Sequence, residues 1–221
     1  MGKIIVARTR SILCFGDSNT YGAVPTLARN GRHRFAPDRR WPGVMRRQLG
    51  AGWEIVEAGQ PSRTTLRDDQ IEGAHKNGAM ALPICLESHM PLDAVILMLG
   101  TNDLKQRFGA SASDIADSVE VLIRLTQRSE AGPAGSAPAV ILVTPPALSE
   151  VDWLGEMFRG GAAKSRLLPP LYAAVAKRTG AALVDASVMV EPSVIDGIHL
   201  ESDAHRCLGT EIARVVKELL S

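Results

Sequence analysis

The sequence predicts an α/β fold, a three-layer α/β/α sandwich built around a five-stranded parallel sheet. Three observations carry that prediction. Short apolar runs alternate with amphipathic stretches of helical spacing, so strands and helices take turns and the strands join by crossovers. The apolar runs over 12–15 and 93–99 are nearly unbroken, the pattern of strands covered on both faces. Finally, the first three strand-like runs stop at Gly16, Gly59 and Gly100, each with polar residues close behind. At 221 residues, 45% apolar and 22% charged, the chain suits a single domain over 1–221.

Each element follows from its residues. Residues 12–15 form the first strand. Residues 23–40, rich in Arg, Pro and Gly without periodicity, form a long loop, and such loops tend to be functional or interface-forming. Asp38, Trp41-Pro42 and then Val44, Met45 and Leu49 predict a short helix with Pro in its first turn, ended by Gly50. Residues 53–58 are the second strand, and 60–65 a polar turn. A helix is expected over 77–90, with Leu82, Ile84, Cys85, Leu86 and Met90 inward and its start delayed by Pro83. Residues 93–99 are the central strand. A clean amphipathic helix covers 111–128, capped by Ser113, with Ile115, Val119, Leu122 and Ile123 on one face. Residues 140–143 are the fourth strand, stopped by Pro145-Pro146, and 147–163 an irregular stretch holding Trp153, Leu154, Met157 and Phe158. A helix over 167–179 and a strand over 181–184 follow. The last helix runs to Leu220 with Leu208, Ile212, Val215, Val216 and Leu219 inward.

A net charge of +1 leaves no nucleic-acid footprint. The basic cluster Arg29, Arg32, Arg34, Arg39 and Arg40 reads as a solvated or interface-forming loop. Cys14, Cys85 and Cys207 are odd in number and lack metal-like spacing, so no disulfide framework is expected and a reducing, cytoplasmic setting fits. The run 4–7 before Arg8 and Arg10 is too short for a secretory leader, and no run approaches the ~20 apolar residues of a membrane helix.

Polar clusters mark the ends of three strands: Asp17-Ser18, Ser62-Arg63 and Asn102-Asp103. A fourth, Asp196-x-x-His199, precedes the last helix. In open α/β sheets ligands sit beyond the carboxyl ends of the strands, where these clusters fall. Acyl transfer from an ester needs a hydroxyl, an imidazole to take its proton, a carboxylate to orient the imidazole, and donors for the oxyanion. The three-residue spacing lets one turn place Asp196 on Nδ1 of His199 with Nε2 outward. Singly, each residue has an ordinary reading: a turn serine, a helix-entry histidine, an Asn at a strand end. All four together at one sheet edge point to catalysis. His33, His75, His89 and His205 have no such partners and read as surface or packing residues. A metal pair of His199 with His205, near Asp203, is outweighed by a solvated helix face; no metal and no cofactor is expected.

The blocks Gly16-Asp17-Ser18, Gly59 with its turn, Gly100-Thr101-Asn102-Asp103 and Asp196-Gly197-Ile198-His199 resemble, in order, those of the SGNH (GDSL-type) hydrolases. The strings ILCFGDSNTYG, RFAPDRRW, MLGTND and DGIHL are most similar to its bacterial arylesterase/acyltransferase branch. The resemblance implies an SGNH/flavodoxin-like sheet, Ser18 as nucleophile, His199 as base and Asp196 as its orienter. It implies oxyanion donors at the Ser18 N–H, the Ser62 N–H and the Asn102 side chain, with Asp17, Gly59, Arg63 and Asp103 in support. Ser62 stands where the family usually has Gly, and Asn19 where it commonly has Leu, which bears on the polarity of the acyl pocket.

The expected function is therefore a serine esterase that cleaves short-chain aryl or alkyl esters through an acyl-enzyme. Acyl transfer, perhydrolysis and a homo-oligomer are further implications of the branch, with loop 23–40 and residues 153–158 as candidate interfaces. The expected partner is a small-molecule ester, with neither nucleic acid nor membrane. A carbohydrate O-acetyl esterase is the alternative. A nucleotide-binding module fits poorly, because Gly16-x5-Gly22 lacks the G-x-G-x-x-G spacing and leaves Asn102 and Asp196/His199 unexplained.

Overall fold

The computed structural model describes residues 8–29, 31 and 33–221. Five parallel strands, β1 (Arg10–Gly16), β2 (Trp53–Gly59), β3 (Ala94–Met98), β4 (Ala139–Thr144) and β5 (Ala182–Asp185), lie in the order β2-β1-β3-β4-β5. The helices are α1 (Ser18–Tyr21), α2 (Trp41–Leu49), α3 (Gly78–His89), α4 (Ala112–Gln127), α5 (Asp152–Met157), α6 (Gly161–Ser165), α7 (Leu168–Thr179) and α8 (Ser202–Leu219).

Alternation along the strands builds the three layers. Val95 and Leu97 of β3 join Leu13, Phe15 and Leu142 in a core completed by Leu82, Ile115, Leu122 and Tyr172 from α3, α4 and α7. Ile96 and Met98 point the other way, to Ile12, Cys14 and Ile141, under Trp41, Met45, Leu208 and Ile212 of α2 and α8. Every residue of β3 is buried, which is why its run carries no polar alternation. The strand order reverses between β1 and β3, and this is the crevice in which such sheets bind ligands. Ser18 follows β1 and Asn102 follows β3, so both lie at that point.

Several local expectations need correction. Helix α3 begins at Gly78, capped by the Asn77 side chain on the Ala79 N–H at 3.0 Å, and Pro83 sits inside it instead of delaying it. The cap and the burial of Leu82 and Leu86 hold the helix through the missing donor. Ile84 and Met90, expected inward, are 66% and 59% exposed, because the face that packs on the core is the one carrying Leu82, Cys85 and Leu86. Leu219 is also exposed. Helix α4 is capped by Ser111, not Ser113: Ser111 and Asp114 form a reciprocal capping box. The stretch 147–163 is not irregular throughout but holds α5 and the start of α6. Leu154 and Phe158 there are buried in the core, while Trp153, Gly155 and Met157 are half-buried and Glu156 is exposed. Within the basic loop, Arg40 is buried and paired with Glu57 at 2.8 Å, so it braces the loop against β2 instead of meeting solvent. Arg32 and the N-terminal run 4–7 lie outside the described residues. Cys14, Cys85 and Cys207 are free thiols.

Candidate active site

The turn after β1 is defined by close packing. The Asp17 carboxylate accepts the Asn19 N–H at 2.9 Å, which caps α1 and puts Ser18 at its first position. A Cβ on Gly16 would lie 2.0 Å from Thr20 Oγ1, and one on Gly59 2.1 Å from the Tyr21 nitrogen. Only glycines therefore let α1 rest directly on the ends of β1 and β2. Burial pushes the Asp17 carboxyl up to about 6, against the Asn19 amide and the nearby charges of His199 and Arg63.

The segment before α8 is built around Asp196, which is fully buried. Its Oδ1 accepts the N–H groups of Ile198 (3.0 Å) and His199 (2.9 Å). Its Oδ2 accepts the Thr26 N–H at 3.0 Å and faces His199 Nδ1 at 2.7 Å. Burial alone would raise this carboxyl, but the bond and charge of His199 and the two amides outweigh it and hold it below the usual range. With Nδ1–H directed at a carboxylate, a neutral His199 carries its lone pair on Nε2 and can accept a proton there. Gly197 takes φ 73°, and a Cβ there would meet the Ser149 carbonyl at 2.2 Å.

The third part is the turn after β2. Ser62 has φ 68°, the left-handed conformation that glycine adopts most readily. Arg63 is buried, lies over the Phe15 ring at 4.1 Å and donates to the carbonyls of Gly16 (2.8 Å) and Ala58. Its burial lowers its pKa to about 10, so the guanidinium stays charged at neutral pH. Asn102 Nδ2 donates to the Arg63 carbonyl at 3.1 Å, which uses one of its two amide hydrogens. Fully buried Asp103 accepts the Thr65 hydroxyl at 2.5 Å and the Thr65 N–H at 3.0 Å, which joins the turns after β2 and β3. Burial raises its carboxyl to about 6, against those bonds and the charge of Arg67. Among the described residues, neither the Ser18 nor the Ser62 N–H has an acceptor within the chain.

Arg63 thus links the turns of Ser18, Ser62 and Asn102, while Asn19 links Ser18 to the His199 segment. The Asn19 amide donates to the Ile198 carbonyl at 3.1 Å and accepts the Leu200 N–H at 3.0 Å. Both its polar ends are occupied by backbone. The Thr26 contact was also missed, and nothing in a loop without periodicity signals it. Lys105 is likewise buried, paired with Glu72 at 2.7 Å behind the Ser62 turn, and a single lysine carries no such signal.

His205 is fully buried rather than on a solvated face, edge-on to Phe35 at 5.5 Å, and burial lowers its pKa to about 4. Among the described residues no three His, Cys, Asp or Glu side chains group as metal ligands. A cleft of about 380 Å³, lined by Arg29, Ile71, Gln106, Arg107, Trp153 and neighbours, opens beside the loop that reaches Asp196. A larger groove, about 500 Å³, runs between α2 and the start of α8 and is lined by none of Ser18, Ser62, Asn102, Asp196 and His199.

Residues 14–207 match the GDSL-like lipase/acylhydrolase family. The chain belongs to this family. Among solved structures it is similar to a carbohydrate acetylesterase from Sinorhizobium meliloti, at 39% identity and TM-score 0.90 over 95% of this chain and 99% of that one. It is similar to the aryl esterase of M. smegmatis at 41% identity and TM-score 0.90, with the same coverage. No curated protein sequence matches it. This GDSL-family chain is a carboxylic ester hydrolase with the SGNH fold. No helix among the described residues is long and apolar enough to cross a membrane.

Proposed function

We propose that the protein hydrolyses short-chain aryl and alkyl esters through an acyl-enzyme on Ser18. Ser18 Oγ attacks the ester carbonyl as its proton passes to His199 Nε2, and Asp196 holds the imidazole and balances its charge. The oxyanion is received by the N–H groups of Ser18 and Ser62 and the free hydrogen of the Asn102 amide. Collapse of the adduct expels the alcohol, which takes the proton from His199. Water then repeats the sequence and releases the acid. An alcohol in place of water gives acyl transfer, and hydrogen peroxide gives a peracid. The observation that carries this reading is the 2.7 Å Asp196–His199 contact, in a segment bound on both sides of His199 by Asn19, the residue after Ser18.

An organophosphate tests it directly. Peptide mapping after labelling is expected to find the adduct on Ser18 and nowhere else; an adduct elsewhere, or none, defeats the assignment. A second reading, a carbohydrate O-acetyl esterase, is favoured by the S. meliloti similarity and by a cleft lined with Trp153, Gln106 and Glu156. Competition between an aryl acetate and an acetylated sugar separates the two.

The branch resemblance also supports a homo-oligomer, for which loop 23–40 and the exposed Ile71, Val194 and Ile195 are the fitting surfaces. Assaying a dissociated monomer tests this: a fully active monomer with an unchanged acyl range refutes it. Three free cysteines fit a reducing cytoplasm.

A further inference from the structure

We propose that Asn19 is a positioning residue that suspends the backbone of His199 from the nucleophile turn and thereby sets where the imidazole stands relative to Ser18. This rests on the roles given above to Ser18 and His199. Asn19 is 2% exposed, and its own N–H is held by Asp17 at 2.9 Å. Its side chain spends both polar ends on the two residues flanking His199, the Ile198 carbonyl at 3.1 Å and the Leu200 N–H at 3.0 Å. Those partners lie 179 and 181 residues away along the chain.

Ile198 and Leu200 are themselves buried, so water does not replace these bonds when they are lost. No strand or helix supports the chain between Ala186–Val188 and Ser202, so side chains must fix its course. A leucine at position 19 has a similar volume but can neither donate to Ile198 nor accept from Leu200. His199 would then keep the Ser193 N–H on its carbonyl at 2.7 Å and the bonds of the Asp196 turn, but nothing that refers it to the nucleophile turn, and small misplacements of a reacting group are expensive in rate.

The test is Asn19→Leu in the wild-type and His199→Ala backgrounds, assayed on p-nitrophenyl acetate, butyrate and hexanoate. In the wild-type background kcat is expected to fall about 30- to 100-fold at every acyl length, with KM held within about twofold. In the His199→Ala background the further loss is expected to stay below about twofold, because Asn19 acts through His199. Equal losses in both backgrounds would mean a general structural role and overturn the proposal. So would a loss that varies with acyl length, which marks a pocket wall.

If Asn19→Leu does not fold, Asn19→Asp takes its place. Its carboxylate accepts from Leu200 but donates to Ile198 only when protonated, so its activity relative to wild type should rise as pH falls from 8 to 5. A flat ratio overturns the proposal. Wild-type turnover in His199→Ala would remove the assigned base and this inference with it. An inactive His199→Ala beside a fully active Asn19→Leu would sink the Asn19 proposal alone.

Discussion

The two halves of the candidate site are held in place by different physics. On one side, the turns bearing Ser18, Ser62 and Asn102 leave directly from strands, and their positions are set by the sheet ladder, by contact at Gly16 and Gly59 and by the Arg63 guanidinium. On the other side, Asp196 and His199 lie in a segment without strand or helix, placed by hydrogen bonds from Thr26 and Asn19, by backbone bonds with Ser149 and Ser193, and within the Asp196 turn. The first half draws its geometry from the core, so it is rigid for as long as the protein is folded. The second depends on a handful of polar contacts. Its geometry can be lost while the fold survives.

Variants on the two sides sharpen that contrast. The largest effect is expected from Ser18→Ala, which removes the attacking atom but no packing. Turnover should drop by about 10⁶-fold, with the acyl-enzyme mass adduct gone and the melting temperature unchanged. An active Ser18→Ala would take Ser18 out of the chemistry. Next is Asp196→Asn, where an amide no longer imposes the Nδ1–H tautomer. A loss of about 10⁴-fold in kcat is expected in steady-state assays, on a protein whose circular dichroism matches wild type. Unfolding instead would show that the loop half is as deeply structural as the sheet half.

Asn102→Ala tests the sheet side. Turnover should fall by about 10²–10³-fold with little change in KM, and an unchanged rate would reduce Asn102 to a brace for the Arg63 carbonyl.

The smallest effect is one of stability. The Asp103 carboxyl is raised by burial from 3.8 to about 6. The folded state therefore binds the proton more tightly than the unfolded chain, and this group's contribution is fullest below about pH 4 and lost as pH rises through 6. Asp103→Asn lacks that dependence. Denaturant titrations should find the variant's stability deficit shrinking between pH 4 and 7, by up to about 3 kcal/mol. A deficit independent of pH would mean that Asp103 is not protonated preferentially in the fold.

Much of the sheet side could be read from residue order. Unbroken apolar runs marked the buried strands, glycines marked their ends, and the polar clusters after them were visible because a turn needs small and polar residues. The loop side was legible only as Asp196-x-x-His199. Asn19 and Thr26 could not be placed, since each of these ties has a backbone group at one end, far away in sequence from its partner, and backbone groups leave no trace in residue type. The same limit explains Pro83 inside α3 and the inward turn of Leu154 and Phe158: a cap, or a neighbour supplied by another segment, overrode the local signal.

By itself, then, the amino-acid order determined the α/β layering, the parallel sheet and which polar residues are candidates for ester chemistry, because apolar periodicity and turn chemistry are local properties. The tertiary structure alone decided how those residues are tied together: Arg63 across three turns, Asn19 across the two halves, Asp196 under Thr26. Those ties are hydrogen bonds between groups remote in sequence, and they exist only once the sheet has brought the strand ends to one edge.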